Sequence, residues 1–209
     1  MNLSAAILAG GQSRRMGQDK ARMELAGQPL LARALAKLRE MGAQQTFISG
    51  RADRDDAALG CPVLLDREPG LGPLGGIERA LQTATSPLVL VLAVDLPHVT
   101  ISFLQKLVCG CDLLTGAVPQ LNGALEPLVA IYPQRCHVIA SDLLTKGRRA
   151  ARDFAEACLR ERVVRTLPVD AADARCFENW NTLADAGSDC APLPARCSST
   201  PCALRLVCC

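Results

Sequence analysis

An α/β fold, a single Rossmann-like three-layer domain around a mostly parallel central sheet, is predicted by three features of the chain. Short aliphatic runs alternate with amphipathic stretches of helical length, the pattern of successive βαβ units. The run LVLVLAV at residues 88–94 is apolar without interruption, which marks a strand buried on both faces at the centre of a sheet. The length of 209 residues suits one such domain and is too short for two of usual size.

The elements follow in order. Residues 3–8 form the first strand. Leu30, Leu31, Ala34, Leu35 and Leu38 recur at helical spacing and the pattern stops at Gly42, which predicts a helix over 29–41. Residues 46–49 and 63–65 are short strands, and 73–85 is a helix that opens on glycine-rich sequence and ends before Ser86-Pro87. Thr100 is placed to cap a helix through residue 108. Strands over 113–118 and 128–132, helices over 136–144 and 149–160, a strand over 163–167 and a short helix over 182–186 complete the domain. From residue 188 the sequence turns to Pro, Ser and Cys without periodicity, so the expected organisation is a domain over 1–187 and a poorly packed tail over 188–209.

Composition excludes several classes. Hydrophobic residues make up 49% and charged residues 21%, which is globular; aromatics are only 3%, so the core must be built from aliphatic side chains. A net charge of +2 with no basic stripe argues against nucleic-acid binding. The arginine pairs Arg14-Arg15 and Arg148-Arg149 read instead as local anion contacts. No stretch is long and apolar enough for a membrane span, and no secretory signal precedes the first strand, so a cytoplasmic location and free thiols are expected for the eleven cysteines. Five of these cluster in the tail without a C-x-x-C pair, a weak metal signal; the terminal Cys208-Cys209 is equally consistent with a dispensable extension.

The segment AILAGGQSRRMGQDK, residues 6–20, joins a strand to a glycine turn, two arginines, a third glycine and an Asp-Lys pair. Gly10, Gly11 and Gly17 allow backbone N–H groups to approach an anion with no Cβ in the way. Lys20 adds a point charge for phosphates, and Arg15 a guanidinium able to grip phosphate oxygens bidentately. This segment contains neither G-x-x-x-x-G-K-[ST] nor a G-x-G-x-x-G opening a helix straight after the strand, so it is neither of the two commonest phosphate loops. Asp95 directly follows the central strand, where open α/β sheets bind ligands. It is a candidate ligand for Mg²⁺, which takes one or two carboxylates with phosphates and water; its other reading is a cap on the turn shaped by Pro97. Asp66 opens a second acid-plus-glycine segment, LLDREPGLGPLGGI, that is either a close-approach loop at a helix N-terminus or a tight connection.

The first of these segments resembles the LAGGxSxRMGxDK signature of the MobA-like nucleotidyltransferases, the molybdenum cofactor guanylyltransferases. The resemblance runs from about Ser4 to Asp185 and implies GMP transfer from GTP to molybdopterin, with Mg²⁺ as the cofactor. It implies nucleotide contacts at Leu8, Ala9, Gly10, Gly11, Lys20, Asp66, Gly75 and Gly76, magnesium on Asp95, and Lys20, Asp95 and Arg15 as the catalytic set. Asn179-Trp180-Asn181-Thr182 resembles the family's N-x-N-T segment and implies pterin-side contacts at Asn179 and Asn181, although Asn181-Thr182 also reads as a plain helix cap and Trp180 as core. Glu126-Pro127-Leu128 matches the family's strand start after its variable loop. One departure is at residues 48–51, where the family often has an asparagine against guanine and this chain has Ser49 followed by Gly50. Ser49, or the backbone around Gly50, is then expected to take that contact. Related cytidylyltransferases usually carry LAAG in place of Leu8-Ala9-Gly10-Gly11, so Gly11 and the Gly75-Gly76 pair favour guanine. A nucleotide-binding adaptor without turnover is the rival from another class, and the joint presence of Lys20, Asp66 and Asp95 favours an enzyme. Cofactor-insertion or molybdoenzyme-maturation proteins are the expected protein partners.

Overall fold

A computed structural model describes residues 2–10, 23–50, 60–68 and 70–178. The segments carrying Gly11, Arg15, Lys20, Asn179 and Asn181, the helix expected at 182–186 and the cysteine tail lie outside the described residues.

Two strands set the frame. β1 (Leu3–Leu8) is buried at every position, and it pairs in parallel with β6 (Leu88–Ala93), also wholly buried, from Leu3↔Leu88 to Leu8↔Ala93. On its other side β1 pairs in parallel with β4 (Gln45–Gly50), which pairs in parallel with β5 (Val63–Leu65). Beyond β6 the chain adds β9 (Val129–Pro133), antiparallel to both β6 and β7 (Gly116–Leu121), and then β10 (Val164–Pro168), parallel to β7. The order β10-β7-β9-β6-β1-β4-β5 places β6 fourth of seven, with the short β8 (Ala124–Leu125) paired to β7 and a separate hairpin of β2 (Glu24–Leu25) and β3 (Gln28–Pro29). The sheet is mostly parallel, as the alternating pattern predicts; β9 and β8 are the reversed strands.

The central strands divide their side chains between two cores, because successive residues point to opposite faces. Ala5 and Ile7, with Leu88, Leu90 and Leu92, pack under α1 (Leu30–Glu40), α3 (Ile101–Cys109) and a 3₁₀ segment, Ala171–Phe177. Ala6 and Leu8, with Val89 and Val91, pack under α2 (Gly72–Thr83), α4 (His137–Thr145) and α5 (Ala151–Arg160). Three layers result, and covering both faces is what makes the β6 sequence apolar throughout. The few aromatic rings sit at joints: Phe103 meets Phe177 edge-on at 5.3 Å, tying the 3₁₀ segment to α3, and Tyr132 lies 4.8 Å from Phe154.

Chain punctuation follows local chemistry. α1 ends where Gly42 turns to φ +70°, with its N–H bonded to the Arg39 carbonyl and that of Ala43 to the Leu38 carbonyl, a Schellman closure. β7 begins at Gly116, three residues later than the Leu-rich stretch at 113 suggests. The Asp112 carboxylate accepts hydrogen bonds from the Leu114 and Thr115 N–H groups at 2.9 and 2.8 Å, fixing a turn that leaves Leu113 and Leu114 exposed. Gly116 then passes so near β9 that a Cβ there would sit 2.0 Å from the Ile131 carbonyl oxygen. Between β7 and β8, Asn122 and Gly123 both have positive φ, as a two-residue type I′ turn requires. The six described cysteines are free thiols. Cys158 is buried against Cys136, whose hydrogen bond, with loss of solvent, pushes the Cys158 pKa far up and keeps that thiol protonated.

The Thr100 hydroxyl accepts the Phe103 N–H at 3.1 Å and starts α3 as predicted. Replacing Thr100 with Ala is expected to cost about 1 kcal/mol in urea unfolding with an unchanged m-value; an unaltered midpoint would show that the cap contributes nothing.

Candidate functional site

The register makes the strands end level. Leu8 pairs with Ser49 on one side and with Ala93 on the other, and Gly50 pairs with Leu65. Ala9-Gly10, Gly50, Asp66 and Val94-Asp95 therefore emerge side by side at the carboxyl edge. Three bonds tie them there: Ala9 N–H to the Ser49 carbonyl at 2.9 Å, Val94 N–H to the Leu8 carbonyl at 3.2 Å and Ala93 N–H to the Leu128 carbonyl at 2.8 Å. From β1 the chain goes out to β4 and β5 and returns to β6 on β1's other side, with α1 and α2 on opposite faces. That reversal is the point at which open α/β sheets form a ligand crevice.

The start of α2 lies directly on these strand ends. A Cβ at Gly76 would fall 2.2 Å from Ser49 Oγ, 2.9 Å from Ser49 Cβ and 3.1 Å from Leu8 Cδ2; one at Gly75 would fall 2.7 Å from Leu71 Cβ and 3.2 Å from the Asp66 carboxylate. The structure thus brings Leu8, Ser49, Asp66, Gly75 and Gly76 together, and gives the two glycines a packing role. With Leu71 as N-cap and Pro73 lacking an N–H, the unpaired amides of the first turn past the cap belong to Gly72 and Leu74, and those of Gly75 and Gly76 come after them. Asp66 is half-buried beside this helix end. Burial pushes its pKa upward, Arg79 pulls it back and Glu78 adds to the rise. Glu78 is itself buried and pairs with Arg67 at 3.2 Å.

Asp95 is half-buried in the turn after β6, between buried Val94, Leu96 and Pro97. Glu126, Pro127 and Leu128 reach the same edge because β9 runs in reverse and begins where β6 ends. Glu126 donates its N–H to the Pro119 carbonyl, and burial raises its carboxyl pKa against the pull of Arg152. Among the described residues no three His, Cys, Asp or Glu side chains are grouped to hold a metal.

Two contacts at the edge could not be foreseen from spacing. Arg149, in the loop before α5, donates from Nη1 to the Gly70 carbonyl at 3.1 Å and so holds the glycine segment that leads from Asp66 into α2. Its neighbour Arg148 pairs with Asp153 at 3.0 Å. Within the protein Arg148 thus meets a carboxylate and Arg149 a backbone carbonyl. Lys37 of α1 donates to the Pro97 carbonyl at 2.8 Å, two residues past Asp95.

Close approach at Gly76 is testable. Gly76→Ala is expected to destabilise the fold by about 1–3 kcal/mol through overpacking. Adding Ser49→Gly, which removes both blocking atoms of that side chain, is expected to recover more than half. A neutral Gly76→Ala in urea unfolding would remove the packing role.

The comparisons agree with this geometry. The family model described as MobA-like NTP transferase domain matches residues 5–163. A probable molybdenum cofactor guanylyltransferase of Opitutus terrae is 36% identical over 186 residues, covering 88% of this chain and 92% of its own. The crystal structure of molybdopterin-guanine dinucleotide biosynthesis protein A from Archaeoglobus fulgidus superposes with a TM-score of 0.70 at 26% identity, covering 88% of this chain and 95% of that one. The 2-C-methyl-D-erythritol 4-phosphate cytidylyltransferase of Thermus thermophilus, at 19% identity, 90% and 96% coverage and a TM-score of 0.68, shares the fold. With level strand ends, a glycine-backed helix start and near full-length similarity, the chain belongs to the MobA-like NTP transferase domain family.

Proposed function

We propose that this protein transfers GMP from GTP to molybdopterin, giving the guanine dinucleotide form of the cofactor and pyrophosphate. What carries the reading is the near full-length similarity to relatives named molybdenum cofactor guanylyltransferases, in a chain whose described motif residues Gly10, Asp66 and Asp95 leave the sheet at one edge. In the reaction a terminal phosphate oxygen of molybdopterin attacks the α-phosphorus of GTP. A new P–O bond forms as the bond to the β-phosphate oxygen breaks, and pyrophosphate departs. The nucleophile is already an anion, so no general base is needed; the barrier lies in holding two anions in line.

The chain's own residues meet that demand in stages. Leu8, Ala9 and Gly10 end β1 against Ser49, forming the floor on which the nucleotide lies. Asp66 is the group offered to the base and ribose; with the Ser49 hydroxyl buried against Gly76, the contact expected there falls to the backbone around Gly50. Lys20 and Arg15 supply positive charge to the triphosphate, and Asn179 and Asn181 receive the pterin.

The donor set at the edge suits Mg²⁺. Asp95, a half-buried carboxylate just past β6, is a hard oxygen donor of the kind that would hold Mg²⁺, with phosphate and water completing the shell. When bound there, Mg²⁺ offsets charge on the transferring phosphoryl group. No helix among the described residues is long and apolar enough to cross a membrane. Action in the cytoplasm and delivery of the product to cofactor-insertion or molybdoenzyme-maturation proteins belong to the same proposal.

Purified protein with Mg²⁺ and carrier-bound molybdopterin, offered GTP and CTP in parallel, is expected to form dinucleotide and pyrophosphate with GTP. Asp95→Ala is expected to lower kcat/KM by about 100-fold or more, at least roughly 3 kcal/mol of lost charge stabilisation. Product from CTP alone would move the protein to cytidylyl transfer; GTP binding without product from either nucleotide would make it an adaptor.

A further inference from the structure

We propose that Lys37 is a positioning residue for the Asp95 turn, and that its amine sets the carboxylate for Mg²⁺. The proposal rests on the function proposed above.

A lysine amine that leaves water loses strong hydration, and burial, helped by the nearby Arg33 guanidinium, lowers the Lys37 pKa to about 8. Arg33 and Lys37 stand four residues apart on α1, a spacing at which like charges repel. Stability of α1 alone would favour an apolar or acidic residue at one of these positions. What the amine gains is the Pro97 carbonyl at 2.8 Å, across sixty residues of chain. A charge-assisted bond of that kind is among the stronger ones a side chain makes to backbone.

Its target is well chosen for control of Asp95. Pro97 has no N–H and a fixed φ, so its carbonyl is the group through which this residue is held; in the same turn Val99 N–H reaches the Leu96 carbonyl at 3.4 Å. Leu96 and Val99 are packed in the same core as Leu35 and Leu38 of α1. The apolar contacts set the depth of the turn, and the Lys37 bond sets the orientation of its backbone. α1 itself begins with Leu30 N–H bonded to the Met23 carbonyl, so the helix that follows the nucleotide segment is also the one that grips the metal turn. A shift of α1 is thereby transmitted to Asp95.

The test compares Lys37→Met, which keeps the aliphatic stem and loses the donor, with Lys37→Arg, which keeps donor and charge. In protein without nucleotide, Lys37→Met is expected to speed amide hydrogen exchange of a peptide covering residues 94–100 by about tenfold while the remaining core strands exchange as before. In the transfer assay it is expected to raise the Mg²⁺ concentration for half-maximal turnover five- to tenfold, with kcat recovered at saturating Mg²⁺. Lys37→Arg is expected to restore both readouts at least halfway. Unchanged exchange at 94–100 would overturn the proposal, as would faster exchange spread evenly over the chain or a lower kcat that Mg²⁺ does not recover. Should the wild type transfer no nucleotide, the proposed function fails, and the exchange comparison alone decides the positioning role.

Discussion

The parallel pairing of β1 with β4 and β6, level at Leu8, is the constraint from which the rest of the structure follows. A one-residue slip on either side would exchange every side chain between the two cores, so the register is held by burial on both faces. Because it is held, Gly10, Gly50, Asp66 and Asp95 come out at the same height. Their meeting is a consequence of strand lengths, and these four residues need no loop of their own to bring them together.

Much of this was legible in the sequence. β1 and β6 show as uninterrupted apolar runs, α1 as a five-residue stripe closed by Gly42, and α3 as a stretch led by a capping threonine, each a local signal with a local cause. The misreadings have local causes too. Leu113 and Leu114 look like strand, yet Asp112 captures two amides and turns the chain there. The short β8 was announced by Asn122-Gly123, a strong hairpin signal that the aliphatic runs around it obscured. The 3₁₀ segment Ala171–Phe177 carries too little periodicity to be read, and its place is decided by Phe177 against Phe103.

The site divides in the same way. Glycine-rich loops and the acid after the central strand are visible because anion approach restricts residue type. That Gly76 is required by Ser49, or that Lys37 and Arg149 hold Pro97 and Gly70, cannot be read from spacing. The partners are far apart in sequence, and in the last two cases the acceptor is a backbone carbonyl that any residue supplies. Both segments that carry a candidate carboxylate are thus restrained by a cation from a distant helix or loop, and these restraints work through the main chain.

The reversal of β9 divides the carboxyl edge into two halves that differ in construction. The passages from β1 to β4 and from β5 to β6 run through α1 and α2, so a length change in either helix displaces a layer of the domain. Beyond β6 the wall is made by a tight hairpin tip at Asn122-Gly123 and the Glu126–Leu128 segment, which enter the edge without a crossover helix. Insertions at that tip are absorbed in a turn. The fold therefore joins a half framed by crossover helices to a half whose rim can be rebuilt, and a lineage can change that rim while β1 and its partners keep their register.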